Sequence, residues 1–272
     1  MSLAVCYFSG TGNSFSIAKK IAEKSGGNLI PIASLINKKE IECPEESLGI
    51  VFPVYYGILP NIVKKFAEKL IHLESKYIFA AATYGGGRGV SIKNLEERIR
   101  GQGGRLSAVY GIHMPQNTFR KPFENQHKIF KKADRMIERI CENTDQKKEG
   151  RWYSNIVIDV LQRPVYPMVK SAVRKSLAEL SGSTETKSIE ELIYSADYSF
   201  TANDRCTSCG TCAEVCPVDN ILVETGPQWL HKCENCLACY NACPQQAIEM
   251  GLLKKDYHYK HPDFDIQSMK RK

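Results

Sequence analysis

No stretch of this 272-residue chain is apolar enough to suggest a membrane span. The longest uncharged run, Ser47 to Val63, is interrupted by Gly49, Pro53, Gly57 and Pro60. It falls short of the roughly 20 apolar residues a spanning helix needs. The first residues, Met1 to Phe8, carry no basic segment and read as a first strand rather than a signal peptide. Cysteine is nearly absent from the first 205 residues, where only Cys6, Cys43 and Cys141 occur. That excludes a disulfide framework there, and a cytoplasmic location with reduced thiols is expected. Also missing are a Gly-Lys-Ser/Thr phosphate loop, a G-x-G-x-x-G turn, an H-E-x-x-H pair and a Ser/His/Asp set. These absences weigh against ATP chemistry, a Rossmann nicotinamide site, a zinc protease and a serine hydrolase. With 43% hydrophobic and 25% charged residues, the composition is that of a folded globular chain.

What is present is concentrated at the two ends. Residues 3–143 alternate between apolar runs (3–8, 28–32, 48–53, 77–83, 106–113) and helical patterns (about 14–25, 60–73, 90–101, 123–142). This alternation predicts an α/β unit with a parallel sheet covered on both faces. The organisation reads as an α/β domain over 1–145, a helical connector over 146–196, a Cys-rich unit over 197–251 and a tail over 252–272. Residues 197–251 hold 2 Lys+Arg against 7 Asp+Glu, in a chain whose formal charge is +7. The acidic unit is therefore expected to lean on the basic remainder. No recognition motif accompanies the basic excess, so nucleic acid is not an expected partner.

Cys206, Cys209, Cys212 and Cys216 are spaced C-x2-C-x2-C-x3-C, and Pro217 follows. Cys233, Cys236, Cys239 and Cys243 repeat that spacing before Pro244, at an offset of 27 residues. Structural zinc usually takes two short pairs with a longer gap. Two dense runs of this spacing point instead to [4Fe–4S] clusters, in which the fourth Cys of each run serves the other cluster. The expected sets are Cys206, Cys209, Cys212 and Cys243 for cluster I, and Cys233, Cys236, Cys239 and Cys216 for cluster II. The segment resembles the two-cluster bacterial ferredoxins, a small α+β fold. The resemblance includes the apolar positions Ile221 and Ile248 after each run.

After the first strand comes Ser9-Gly10-Thr11-Gly12-Asn13-Ser14, ahead of a helix. A Gly- and hydroxyl-rich strand-to-helix turn is an anion cradle, since main-chain N–H groups and the helix dipole favour negative charge. Two further strand ends carry Pro53-Val54-Tyr55-Tyr56-Gly57 and Thr83-Tyr84-Gly85-Gly86-Gly87. All three would lie at the carboxyl edge of the sheet, where open α/β sheets bind ligands. This pattern resembles the flavodoxins. The resemblance implies a doubly wound five-stranded parallel sheet of order 2-1-3-4-5. It also implies FMN held by Ser9, Thr11, Gly12, Asn13 and Ser14 at the phosphate. Pro53, Tyr55, Tyr56, Gly57, Thr83, Tyr84, Gly85 and Gly86 would lie at the ring, and Asn117 beside it. Where the family has an acidic residue after the second-loop Gly, this chain has Ile58.

The whole chain thus resembles the flavodoxin–ferredoxin fusion proteins. That resemblance implies an electron-transfer protein with FMN and two [4Fe–4S] clusters, serving a redox partner protein. A second reading is a terminal reductase of a small molecule at the flavin. A third is a scaffold that uses the apolar Trp152–Leu161 segment.

Overall fold

The computed structural model describes residues 2–117, 126–154, 166–184, 186–250 and 258–266. Five parallel strands form first: β1 (Leu3–Tyr7), β2 (Asn28–Pro31), β3 (Ser47–Pro53), β4 (Tyr77–Tyr84) and β5 (Leu106–His113). The helices between them are α1 (Asn13–Ser25), a short α2 (Ile32–Leu35), α3 (Asn61–Ala67) and α4 (Ser91–Gly101), with α5 (Gln126–Asp145) after β5. Strand order is 2-1-3-4-5, the flavodoxin-like doubly wound topology.

The strand pleat explains why both faces are covered. Ala4, Cys6 and Phe8 point to one face, where Ile62 and Phe66 of α3 and Leu95 and Ile99 of α4 pack. Leu3, Val5 and Tyr7 point to the other, against Ile17 and Ile21 of α1 and Ile137 and Ile140 of α5. Strands buried on both sides have no polar face to display, so they are written as continuous apolar runs.

A sixth strand corrects the expected count. β6 (Gly150–Tyr153) extends the sheet beyond β5 in parallel, within the segment read as a helical connector. Its four residues are too few for a periodic signal. It is held by Trp152, whose ring stacks on Tyr110 at 5.0 Å and 12°. The apolar run from Ile156 to Leu161 lies outside the described residues. Beyond it the connector is helical, with α6 (Tyr166–Leu180), α7 (Ile189–Tyr194) and a 3-10 turn (Ala196–Ser199). A reciprocal Ser188–Glu191 capping box starts α7.

The Cys-rich unit follows, with β7 (Phe200–Ala202), α8 (Thr211–Glu214), β8 (Ile221–Val223), β9 (Pro227–Trp229), α9 (Ala238–Ala242) and β10 (Ile248–Met250). β7 pairs antiparallel with β10, and β8 with β9. The 27-residue offset is visible in the backbone. α8 and α9 start one offset apart, as do β8 and β10. Left-handed residues recur in register: Ser208 and Asn235, Gly210 and Leu237, Asp219 and Gln246. Ile221 and Ile248 are both buried in this unit's core.

The unit docks on the sheet through a shared apolar core. Val215, Cys236, Ala238 and Ala242 belong to the same buried cluster as α3 and α4. The connector helix α7 bonds to both, since Cys233 N–H donates to Tyr194 O at 3.2 Å and Asn61 Nδ2 donates to Glu190 O at 3.1 Å. Among the described helices none is long and apolar enough to cross a membrane.

Candidate functional site

The three glycine-rich turns meet around one cavity of about 400 Å³, a size suited to a small-molecule ligand. Its wall includes Ser9, Thr11, Asn13, Ser14, Pro53, Tyr55, Tyr56, Gly57, Thr83, Tyr84, Gly85, Gly86 and Asn117. Of the flavin residues expected from sequence, Gly12 alone is not in that wall. It forms the turn behind it, with φ of 95° leading into α1, a conformation glycine adopts without steric cost.

The cradle is prearranged by its own side chains. Ser9 Oγ accepts from Gly12 N–H at 3.1 Å, and Asn117 Nδ2 donates to Thr11 Oγ1 at 3.1 Å. Asn13 Nδ2 donates to Pro115 O at 3.0 Å, and the Ser14 and Thr83 hydroxyls pair at 2.8 Å. The 13-residue helix α1 points its N-terminus at this turn, which favours a bound phosphate.

The second turn is a tight one. Ile58 N–H donates to Tyr55 O at 2.9 Å across Tyr56 and Gly57, whose φ values are 54° and 76°. Two successive left-handed residues define a type I′ turn. Gly57 O accepts from Val90 N–H at 2.8 Å and from the Tyr166 hydroxyl at 3.3 Å. The turn is therefore fixed from both sides.

The donor set fits a flavin mononucleotide. An anion cradle faces one end, and Tyr55, Tyr56 and Tyr84 line the remainder. Gln116 Oε1, on a wall residue, is buried with no hydrogen-bond partner among the described residues. A buried unpaired polar atom in a binding wall is costly until a ligand group meets it.

The eight clustered cysteines separate into two hollows. One is lined by Cys206, Cys209, Cys212 and Cys243, the other by Cys216, Cys233, Cys236 and Cys239. These are the crossed sets expected from the spacing. Electrostatic neighbours agree, since Cys212 feels Cys209 and Cys243, whereas Cys239 feels Cys236 and Cys216 first. The described residues hold no three His, Cys, Asp or Glu side chains arranged around a single ion. In a [4Fe–4S] cube each thiolate holds a different iron, which calls for wider spacing.

Main-chain N–H groups point at the sulfurs, from Asn220 to Cys216 Sγ at 3.3 Å, Asn235 to Cys233 Sγ at 3.2 Å and Ala247 to Cys243 Sγ at 3.3 Å. Such bonds tune cluster potentials. Burial first, then neighbouring thiols, pushes the Cys233 and Cys239 thiols well up, while burial pushes Cys236 up to about 12 and Cys212 up to about 11. Iron binds the thiolate, so a cluster held here would supply the charge compensation these sites lack as bare thiols. Cys209 is exposed, and the Thr211 hydroxyl 3.4 Å away lowers its pKa.

Sequence reasoning did not foresee how closely the two sites adjoin. Asn235, between Cys233 and Cys236, lines the cavity. A Cβ on Gly10 would overlap the Cys236 carbonyl and lie 3.0 Å from Cys236 Cβ. Burial pushes the Tyr55 hydroxyl well up, with Cys236 and Glu234 adding to the shift. Burial likewise raises Tyr56, and Cys233 adds to that. The hollow lined by Cys216, Cys233, Cys236 and Cys239 therefore borders the cavity. Also unforeseen are Tyr166, Val169 and Val173 of α6, which line the cavity from the connector.

Other candidates resolve as ordinary structure. His113 Nε2 lies 3.1 Å from Gly85 O, a satisfied pair with the proton on Nε2. Cys6 and Cys43 are buried and share a thiol hydrogen bond in the core, and Cys141 is half-buried.

Comparison with known proteins gives one family match and a set of distant structural likenesses. Residues 202–222 match the family model described as "4Fe-4S binding domain". No curated protein matches the chain. Among solved structures, a flavodoxin of Streptococcus pneumonia TIGR4 is 15% identical, with a TM-score of 0.39, over 54% of this chain and 99% of its own. A flavodoxin from the domain Archaea is 17% identical, with a TM-score of 0.38, over 53% and 99%. The rubredoxin oxygen:oxidoreductase of the anaerobe Desulfovibrio gigas is 17% identical, with a TM-score of 0.35, over 54% and 36%.

Proposed function

We propose that the chain is an electron-transfer protein that carries FMN in the cavity and two [4Fe–4S] clusters in the two hollows, and serves a redox partner protein. The observation that carries this reading is the shared wall, in which Asn235 and the Gly10–Cys236 contact join the cavity to the hollow of cluster II.

When bound, FMN exchanges one or two electrons and a cluster exchanges one, so the pair interconverts the two kinds of traffic. The chain's residues supply binding, orientation and exclusion of water. Ser9 to Ser14 hold the phosphate, Tyr55, Tyr56 and Tyr84 bound the ring, and α6 shields one side through Tyr166, Val169 and Val173. Cysteines 216, 233, 236 and 239 are mostly buried, whereas Cys209 is exposed. Cluster II is then the inner cluster and cluster I the outer one, the natural contact for a partner protein. Joining the sites in one chain replaces a bimolecular encounter with a fixed contact.

Anaerobic purification with iron, sulfide and flavin counts tests the cofactor set. About eight iron and one FMN per chain are expected. Four iron, or no flavin, would contradict the reading.

A second reading keeps the same cofactors but ends at a small-molecule acceptor. Val169 lines the cavity while remaining 51% exposed, so an apolar margin opens beside the site. Turnover of small acceptors by the reduced protein would favour this reading, and reaction with redox proteins alone would favour the first.

A further inference from the structure

Residues 258–266 fall in the segment that the sequence presents as a tail. In the structure they cross from the Cys-rich unit to the anion cradle, and each end is fixed. At the cradle, His261 N–H donates to Thr11 O at 2.9 Å, and the Tyr259 hydroxyl donates to Asn13 Oδ1 at 2.6 Å. Ser16 Oγ, in the first turns of α1, donates to Asp263 Oδ2 at 2.6 Å. Gly12 has no room for a side chain, since a Cβ there would lie 2.9 Å from His261 Cβ and 3.1 Å from Phe264 Cβ. At the other end, the His258 ring stacks on Tyr240 at 4.4 Å and its Nδ1 lies 2.9 Å from Tyr240 O. Tyr259 N–H donates to Asn241 Oδ1 at 2.7 Å, and Asn241 Nδ2 donates back to Leu237 O at 2.9 Å. Tyr240 and Asn241 lie on α9, between Cys239 and Cys243, one ligand from each cluster set. Tyr259 and His261 are buried in this position, at 3% and 6% exposure.

We propose that residues 258–266 are a strap that belongs to the flavin phosphate site, with Tyr259 and the His261 main chain as positioning groups that hold the Ser9–Ser14 turn in its anion-binding shape. The inference rests on the functional reading above. The strap needs no contact with the ligand. An anion cradle binds well when its N–H groups need no reorganisation, and rigidity imposed from behind lowers the ordering cost of binding. Asn13 shows this most directly. Its Nδ2 is tied to Pro115 O and its Oδ1 to Tyr259, so both ends of the amide are fixed at the start of α1. The anchoring of the strap on α9 makes cluster-ligand geometry and cradle geometry parts of one hydrogen-bonded chain.

The test compares FMN with riboflavin, which has the same ring and no phosphate. Cluster-loaded full-length protein, the Tyr259→Phe variant and a chain ending at residue 257 are titrated with each flavin by fluorescence quenching, with iron content checked in parallel. Tyr259→Phe should weaken FMN by about three- to tenfold, as expected for one lost hydrogen bond. The shortened chain should weaken FMN further, and riboflavin affinity should stay within about twofold in both. Unchanged FMN affinity in both variants would overturn the inference, as would equal loss of the two flavins. Wild-type protein that bound neither flavin would overturn the functional reading and this inference with it.

Discussion

Gly10 and Cys236 are in contact across the boundary between the sheet unit and the Cys-rich unit, so close that a Cβ on Gly10 would overlap the Cys236 carbonyl. Gly10 belongs to the cradle and Cys236 to the cluster II set. A Gly10→Ala substitution must therefore push the two units apart or distort the turn. We expect it to lower stability by about 1–3 kcal/mol, the usual cost of overpacking. It should also slow flavin–cluster exchange more than a surface substitution of equal stability does. Thermal unfolding and anaerobic rapid mixing measure the two effects.

The crossed ligand sets make an asymmetric prediction. Cys216 lies in the first run but lines the hollow of the second, and Cys243 the reverse. Cys216→Ser should perturb the inner cluster and cut the flavin off from the remaining one. Cys243→Ser should perturb the outer cluster and leave flavin–cluster exchange intact. Iron counts and flavin re-reduction, read in both variants, check this. The opposite pattern would reassign the ligands.

Gly57 tests the second turn. With φ of 76°, and with a Cβ placed 3.0 Å from the Tyr166 ring, it has little tolerance for a side chain. Gly57→Ala should cost about 1–3 kcal/mol through backbone strain. It should also raise flavin dissociation, because Tyr56 shares the same turn. Calorimetry and flavin-release kinetics measure these.

Burial holds the His113 and His261 imidazoles below their ordinary value of 6.5. Groups facing His261 include Asp263, Asp134 and Lys20, and the Phe130 ring packs 4.8 Å away. Because the folded-state values are depressed, the unfolded chain binds protons first on acidification. Stability from these two groups is full above 6.5 and is lost as pH falls from 6.5 through the folded values. A His261→Gln variant should show a shallower acid-side decline than wild type between about pH 6.5 and 5. Chemical denaturation at several pH values reads the slope.

The strands of the sheet were legible because burial on both faces writes apolar runs, and the cysteines because cluster chemistry fixes their spacing. The loop residues were legible as a resemblance, since Gly and Tyr at three strand ends converge only once the strand order is known. What sequence did not reveal was made by contacts distant in the chain. β6 has four residues and owes its place to Trp152 stacking on Tyr110. Asn235 meets the cavity only because Val215, Ala238 and Ala242 pack on the face formed by α3 and α4. Tyr259 and Asn13 are 246 positions apart, and although the Gly-rich turn marks Asn13, nothing local marks Tyr259 as its partner.

The cavity and the hollow lined by Cys216, Cys233, Cys236 and Cys239 share a wall within one chain. Anaerobic stopped-flow reduction, followed at flavin and cluster wavelengths over a range of protein concentrations, tests it most directly. If the shared wall carries the electrons, the flavin and clusters re-equilibrate at a rate independent of protein concentration. A rate proportional to concentration, or two cofactors that never re-equilibrate, would contradict it.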